Sequence, residues 1–141
     1  MINRKGSDAI GHVDAVRRMC RSMIHRGPDD EGVEVLNSAC IGHRRLSIID
    51  TSSLGRQPFL SEDKRLCLAT NGEIYNFMSY RSELEKKGCR FKSQSDSEVI
   101  LHGYSIDGVD VVDKLRGMFA FSIFDKNEQV LMLVRDRQGI K

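Results

Sequence analysis

The stretch Thr70-Asn71-Gly72-Glu73-Ile74-Tyr75-Asn76 constrains this chain more than any other. An apolar run, Leu66-Cys67-Leu68-Ala69, leads into it, and an amphipathic segment, 77–87, leads out. The first reads as a strand and the second as a helix, so the Asn-Gly pair is expected between the two. A glycine there opens φ > 0 to the backbone. A peptide N–H can then turn outward beside the Asn71 amide, and two neutral donors aimed at one point can hold a developing oxyanion. The plainer alternative is a turn, since Asn-Gly is a strong hairpin signal. A helix pattern follows where a hairpin would need a second strand, which weighs against the turn.

Size and composition narrow the context. A chain of 141 residues suits one domain, 1–141, with a sizeable core. It is 40% hydrophobic and 30% charged, ordinary for a globular protein. Its net charge of +2 is spread among acidic residues, so no nucleic-acid-binding stripe is expected. No run of about 20 apolar residues could cross a membrane, and the N-terminus has no apolar stretch behind its charges to act as a signal peptide. Cysteines stand at 20, 40, 67 and 89 with no Cys-x-x-Cys spacing, which argues against zinc. Cys40 and Cys67 fall in apolar strand-like runs and are expected to be buried thiols. Reduced thiols imply the cytosol.

Along the chain, 12–25 reads as a helix with Val13, Val16, Met19, Cys20, Met23 and Ile24 on one face, the methionines being expected in the core. His25-Arg26-Gly27-Pro28-Asp29 ends it in a loop. Strands are expected at 33–36 and from Ala39 onward. Arg44 and Arg45, adjacent on the second, should point to opposite faces. Either this is a surface pair or one of the two faces a pocket. Residues 51–64 are loop-like. After the 77–87 helix, Gly88 is a good residue to end it. Ser95 and Glu98 have capping-box spacing ahead of a helix at 98–105, which would put Asp96 in its first turn. Asp96 then either complements the helix dipole or holds a ligand ammonium. A short helix at 109–115, a strand at 118–125 buried on both faces and a returning strand at 129–134 complete the pattern.

Six stretches recur together in a known family: His25-Arg26-Gly27-Pro28-Asp29, 43–50 (His-Arg-Arg-Leu-Ser-Ile-Ile-Asp), 71–76 (Asn-Gly-Glu-Ile-Tyr-Asn), Ser95-Asp96-Ser97-Glu98, 117–121 (Gly-Met-Phe-Ala-Phe) and 135–139 (Arg-Asp-Arg-Gln-Gly). In this order and spacing, over about residues 20–141, the chain resembles the glutaminase domain of glutamine-hydrolysing asparagine synthetase. That is a class II glutamine amidotransferase of the N-terminal-nucleophile hydrolase type. The resemblance implies an α+β fold, a sandwich of two mainly antiparallel sheets flanked by helices. It implies that Arg45 binds the α-carboxylate of L-glutamine, where a planar guanidinium can make two parallel hydrogen bonds. Backbone groups at Ile48 and Ile49 would line the same pocket, Asn71 and Gly72 would form the oxyanion hole, and Glu73 and Asp96 would hold the α-ammonium.

The same resemblance implies no cofactor in this domain. ATP and Mg would belong to a partner synthetase domain that accepts the ammonia, normally for amidation of aspartate. The family nucleophile is a cysteine that follows the initiator Met, with its own α-amino group as base, since an α-amine of pKa about 7.7–8.0 can take a proton at neutral pH. Position 2 here is Ile, and none of the four cysteines matches that nucleophile. The chain therefore reads as truncated at both ends, without the synthetase domain, and as inactive in glutamine hydrolysis as it stands. The alternatives are a glutamine-binding regulatory module that does not cleave its ligand, and a decayed remnant. The ammonia acceptor and the oligomeric state are left open.

Overall fold

The computed structural model describes residues 9–36, 38–46 and 55–141. A 3-10 turn (Ala9–His12) runs into helix α1 (Val13–Ser22). Strands β1 (Asp30–Leu36) and β2 (Ala39–Arg45) pair antiparallel as a two-stranded sheet. A second sheet, in the order β3-β4-β5-β6, contains β3 (Phe59–Leu60), β4 (Leu66–Ile74), β5 (Gly117–Asp125) and β6 (Val130–Arg135), with every neighbour antiparallel. Between β4 and β5 come α2 (Phe77–Lys86), α3 (Glu98–Asp107), a 3-10 turn (Gly108–Asp110) and the short α4 (Val111–Lys114).

The apolar pattern stacks these elements in four layers. Val16 and Cys20 of α1 pack on Cys40 of β2. Leu36 and Ala39 of the small sheet meet Cys67 and Phe124 of the large one. On the far face of the large sheet, Leu66, Leu68, Ile74, Phe119, Phe121 and Ile123 meet Tyr80, Leu84, Val99, Ile100 and Val111 from the helices. Alternation along β4 explains the split: Leu66, Leu68 and Ile74 face the helices, while Cys67 faces the other sheet. The expected helix–sheet–sheet–helix sandwich is what forms.

Several local expectations give way. Met19 and Met23 are 55% and 42% exposed, because the buried stripe of α1 is only Val16 and Cys20 wide and the helix ends at Ser22. In α2, Tyr80 and Leu84 are buried, while Tyr75 just ahead of the helix is exposed. Strand β5 is buried at Phe119, Phe121, Ile123 and Phe124 but only half-buried at Met118, Ala120 and Ser122. Gly88 does end α2, with φ of 93°. Cys40 and Cys67 are buried thiols, and burial pushes Cys67 up to about 12.

The capping box does not form. The Ser95 hydroxyl accepts from the Ser97 N–H at 3.2 Å, and Glu98 turns away from it. The Glu98 carboxylate instead takes the N–H groups of Lys92 (2.9 Å) and Ser93 (2.8 Å) and the Ser93 hydroxyl (2.6 Å). Helix α3 begins at Glu98, so Asp96 lies ahead of the helix and not in its first turn.

Candidate functional site

Strand β4 continues straight through the Asn-Gly pair to Ile74, which corrects the expected strand-to-helix junction. It can do so because β5 pairs with it along the whole way, Asn71 opposite Ala120 and Gly72 opposite Phe119. Gly72 has φ of +138°, and a Cβ there would lie 2.0 Å from the Met118 carbonyl oxygen. Gly117, two residues from Phe119 in the facing strand, crowds the Glu73 carbonyl in the same way. The two strands approach closely here, and only glycine fits.

The other edge of β4 is what makes a site. Strand β3 covers only Leu68 and Cys67. In an antiparallel strand, alternate residues send both their N–H and C=O to the same side. Leu66, Leu68, Thr70, Gly72 and Ile74 therefore face the β3 edge. Ser61 binds both backbone groups of Leu66 there. Beyond β3, side chains replace the missing strand. The Gln57 side-chain oxygen accepts the Thr70 N–H (2.7 Å), His43 Nε2 donates to the Thr70 carbonyl (2.9 Å), and Asp96 accepts the Ile74 N–H (2.7 Å). Gly72 sits between these clamped residues. Its opposite number, Phe119, gives both its backbone groups to Asp136, on the far side of β5. The Gly72 N–H is thus turned to the open edge.

That edge borders a cavity of about 340 Å³. Arg45, Asn71, Gly72, Glu73 and Asp96, the described residues singled out from the sequence, all line it. They come from β2, from β4 and from the turn before α3. Ile48 and Ile49 lie outside the described residues. Both Arg44 and Arg45 reach the cavity, so this is not a surface pair. Arg44 is used structurally: it donates to the Gly27 carbonyl (2.7 Å) and the Pro28 carbonyl (3.3 Å) and pairs with Glu31 (3.2 Å). It thereby holds the 25–29 loop, whose Arg26 lines the cavity. Asp136 accepts the N–H groups of Gln138, Ile140 and Lys141 as well as Phe119, which folds the segment after β6 back to bring Lys141 to the cavity.

The electrostatics single out Asp96. Burial raises its pKa above the usual carboxylate range, the Ile74 N–H opposes that, and the neighbouring Glu73 charge raises it further. A carboxylate held in this way gains from a cationic ligand group. Arg45, Asn71 and Gly72 line the same cavity. The lining thus offers one guanidinium in Arg45, two carboxylates in Glu73 and Asp96, and neutral donors at Asn71 and Gly72. None of the four cysteines lines it, and among the described residues no group of three or more His, Cys, Asp and Glu could hold a metal ion.

Sequence reasoning missed Gln57, His43 and Thr70. Gln57 left no signal, because it acts from an irregular loop. His43 was readable in principle: two residues before Arg45 on a strand, it must share that residue's face.

The class is thus an antiparallel α+β sandwich with a polar cavity at the edge of its larger sheet. The chain belongs to the glutamine amidotransferase domain family, which it matches over residues 2–141. It is 44% identical over 128 residues to asparagine synthetase [glutamine-hydrolyzing] 1 of Bacillus subtilis, covering 91% of this chain and 20% of that protein. It is 39% identical over 134 residues to asparagine synthetase B [glutamine-hydrolyzing] of Escherichia coli (95% and 24%), and 40% identical over 129 residues to amidase chyE of Penicillium rubens (92% and 19%). The chain spans about a fifth of the length of these relatives. Among solved structures it resembles the glutamine phosphoribosylpyrophosphate amidotransferase of B. subtilis complexed with ADP and GMP, with TM-score 0.60 and 28% identity over 74% of this chain and 24% of that one.

Proposed function

We propose that this domain binds L-glutamine and, within a longer protein, releases its side-chain amide as ammonia for a synthetase partner. One observation carries the reading: residues from three separate elements, Arg45, Asn71, Gly72, Glu73 and Asp96, line one cavity. Arg45 takes the α-carboxylate, and Asp96 with Glu73 takes the α-ammonium. The Asn71 amide and the Gly72 N–H receive the carboxamide oxygen and the negative charge that grows on it during attack. Backbone near Ile48 and Ile49 completes the carboxylate end. No cofactor is needed for these steps. ATP and Mg would serve the partner domain, with aspartate as the acceptor that the synthetase relatives favour, in the cytoplasm.

Hydrolysis also needs a nucleophile. Cys20, Cys40 and Cys67 are buried and Cys89 half-buried, burial raises all four thiol pKa values, and none of the four reaches the cavity. We therefore expect the 141-residue chain to bind glutamine without turning it over. This favours the second reading, a binding module, for the isolated chain. Calorimetry with L-glutamine tests binding, and glutamate release tests turnover. Arg45→Ala is expected to weaken binding by about 1.5–3 kcal/mol, the worth of hydrogen bonds to a charged group. Unchanged affinity would remove Arg45 from its role.

A further inference from the structure

The two ends of the proposed ligand are held by different sheets. Arg45 ends β2 in the small sheet, whereas Asn71 and Gly72 stand on β4 in the large one. No ladder joins β2 to β4. A ligand that must reach from one to the other needs their spacing fixed by something else.

We propose that His43 is the positioning residue that sets this spacing and so makes the site selective for a carboxamide. The proposal rests on the glutamine reading above. His43 lies on β2 two residues before Arg45, on the same face, and lines the cavity. Its Nε2 donates to the Thr70 carbonyl at 2.9 Å. That carbonyl belongs to the peptide unit whose nitrogen is Asn71. The bond therefore ties the strand of the carboxylate anchor to the backbone plane that starts the oxyanion hole. Gln57 holds the preceding peptide unit through the Thr70 N–H, so Thr70 is fixed on both sides.

The imidazole is built for this one bond. A carbonyl can only accept, so Nε2 carries the proton. Nδ1 is buried and has no hydrogen-bond partner. A second proton there would place an unpaired N–H and a charge in the interior. Burial accordingly lowers the pKa of His43. The Thr70 bond opposes that, the Arg45 charge adds to it, and Asp30 on β1 works against it. The lowered pKa favours the neutral ring, a donor on one side only.

The test compares L-glutamine with L-norvaline, which keeps the α-carboxylate and α-ammonium but has a methyl group in place of the carboxamide. Calorimetry would use the 141-residue chain, His43→Leu and His43→Gln. The unsubstituted chain is expected to prefer glutamine by about tenfold or more, the worth of the amide's hydrogen bonds. His43→Leu should lose most of that preference while still binding both ligands through Arg45 and Asp96. His43→Gln, whose amide can donate, should recover part of it. A folded His43→Leu chain with an unchanged glutamine-to-norvaline ratio would overturn the proposal. Failure of the unsubstituted chain to bind glutamine would instead overturn the functional reading. Should His43→Leu not fold, nitrogen NMR of the native imidazole decides: a neutral Nε2–H tautomer that persists below the unperturbed pKa of about 6.5 supports the clamp, and titration at or above that value, or the Nδ1–H tautomer, refutes it.

Discussion

Asp96 and Glu98 stand two residues apart at the start of α3, each only 5% exposed, and the fold treats them in opposite ways. Burial alone would raise Glu98, but hydrogen bonds from His102, Ser93 and the Lys92 and Ser93 backbone outweigh it and hold the group down to about 2. Asp96 receives the Ile74 N–H at 2.7 Å and the Ser97 hydroxyl at a long 3.4 Å, and burial keeps its pKa raised. The difference separates a carboxylate saturated with donors from one left with few at the wall of a cavity. Glu98 is saturated with donors and ties the 91–93 segment to the helix. Asp96 is left short of partners at the edge of a cavity, where an ammonium group would complete it.

Substitutions can break this contrast. Glu98→Ala should cost the most, about 3 kcal/mol of unfolding free energy, because the buried Ser93 N–H and hydroxyl and the part-buried Lys92 N–H lose their acceptor; urea denaturation reads it. Acid should expose the same interaction. With a folded pKa of about 2 against an ordinary 4.5, the stability Glu98 contributes is present above pH 4.5 and is lost as pH falls towards 2. A native-state stability curve across that range should fall, and should fall less in the Glu98→Gln chain.

Asp96→Asn should behave the other way. The amide oxygen can still accept the Ile74 N–H, while the buried charge is gone. A carboxylate whose folded pKa is raised lowers stability as pH rises through that pKa. The melting temperature at neutral pH should therefore hold or increase, while glutamine affinity falls by about 1.5–3 kcal/mol. A variant that lost stability and kept affinity would make Asp96 a structural residue like its neighbour. Ser97→Ala, which removes only the long contact to Asp96, should change stability by about 0.5 kcal/mol or less.

The sequence revealed the layers, and which residues would gather at one cavity, better than the local geometry. Apolar runs at 66–69 and 118–125 marked the central strands because burial dictates their composition. The motif residues Arg45, Asn71, Gly72, Glu73 and Asp96, far apart in the chain, line one cavity. What stayed hidden depends on contacts between distant segments. Nothing local reveals that β5 would pair past Gly72, which turned an expected junction into continuous strand. The Ser95–Glu98 spacing was right for a capping box, but Glu98 found three donors at 92–93 that spacing alone does not bring near it. Gln57 and His43 matter only because β3 is two residues long, which leaves Thr70 to be satisfied by side chains.

The open edge of β4 also bears on how this protein stays apart from its neighbours. A bare strand edge is a template on which another chain can add a strand, and such edges seed aggregation. Here the Thr70 N–H and carbonyl and the Ile74 N–H that would receive such a strand are already taken by Gln57, His43 and Asp96. The side chains that shape the cavity thus also act as plugs, and the gap left at Gly72 is one residue wide. It can admit a small molecule, and it is too short to start a ladder with another polypeptide.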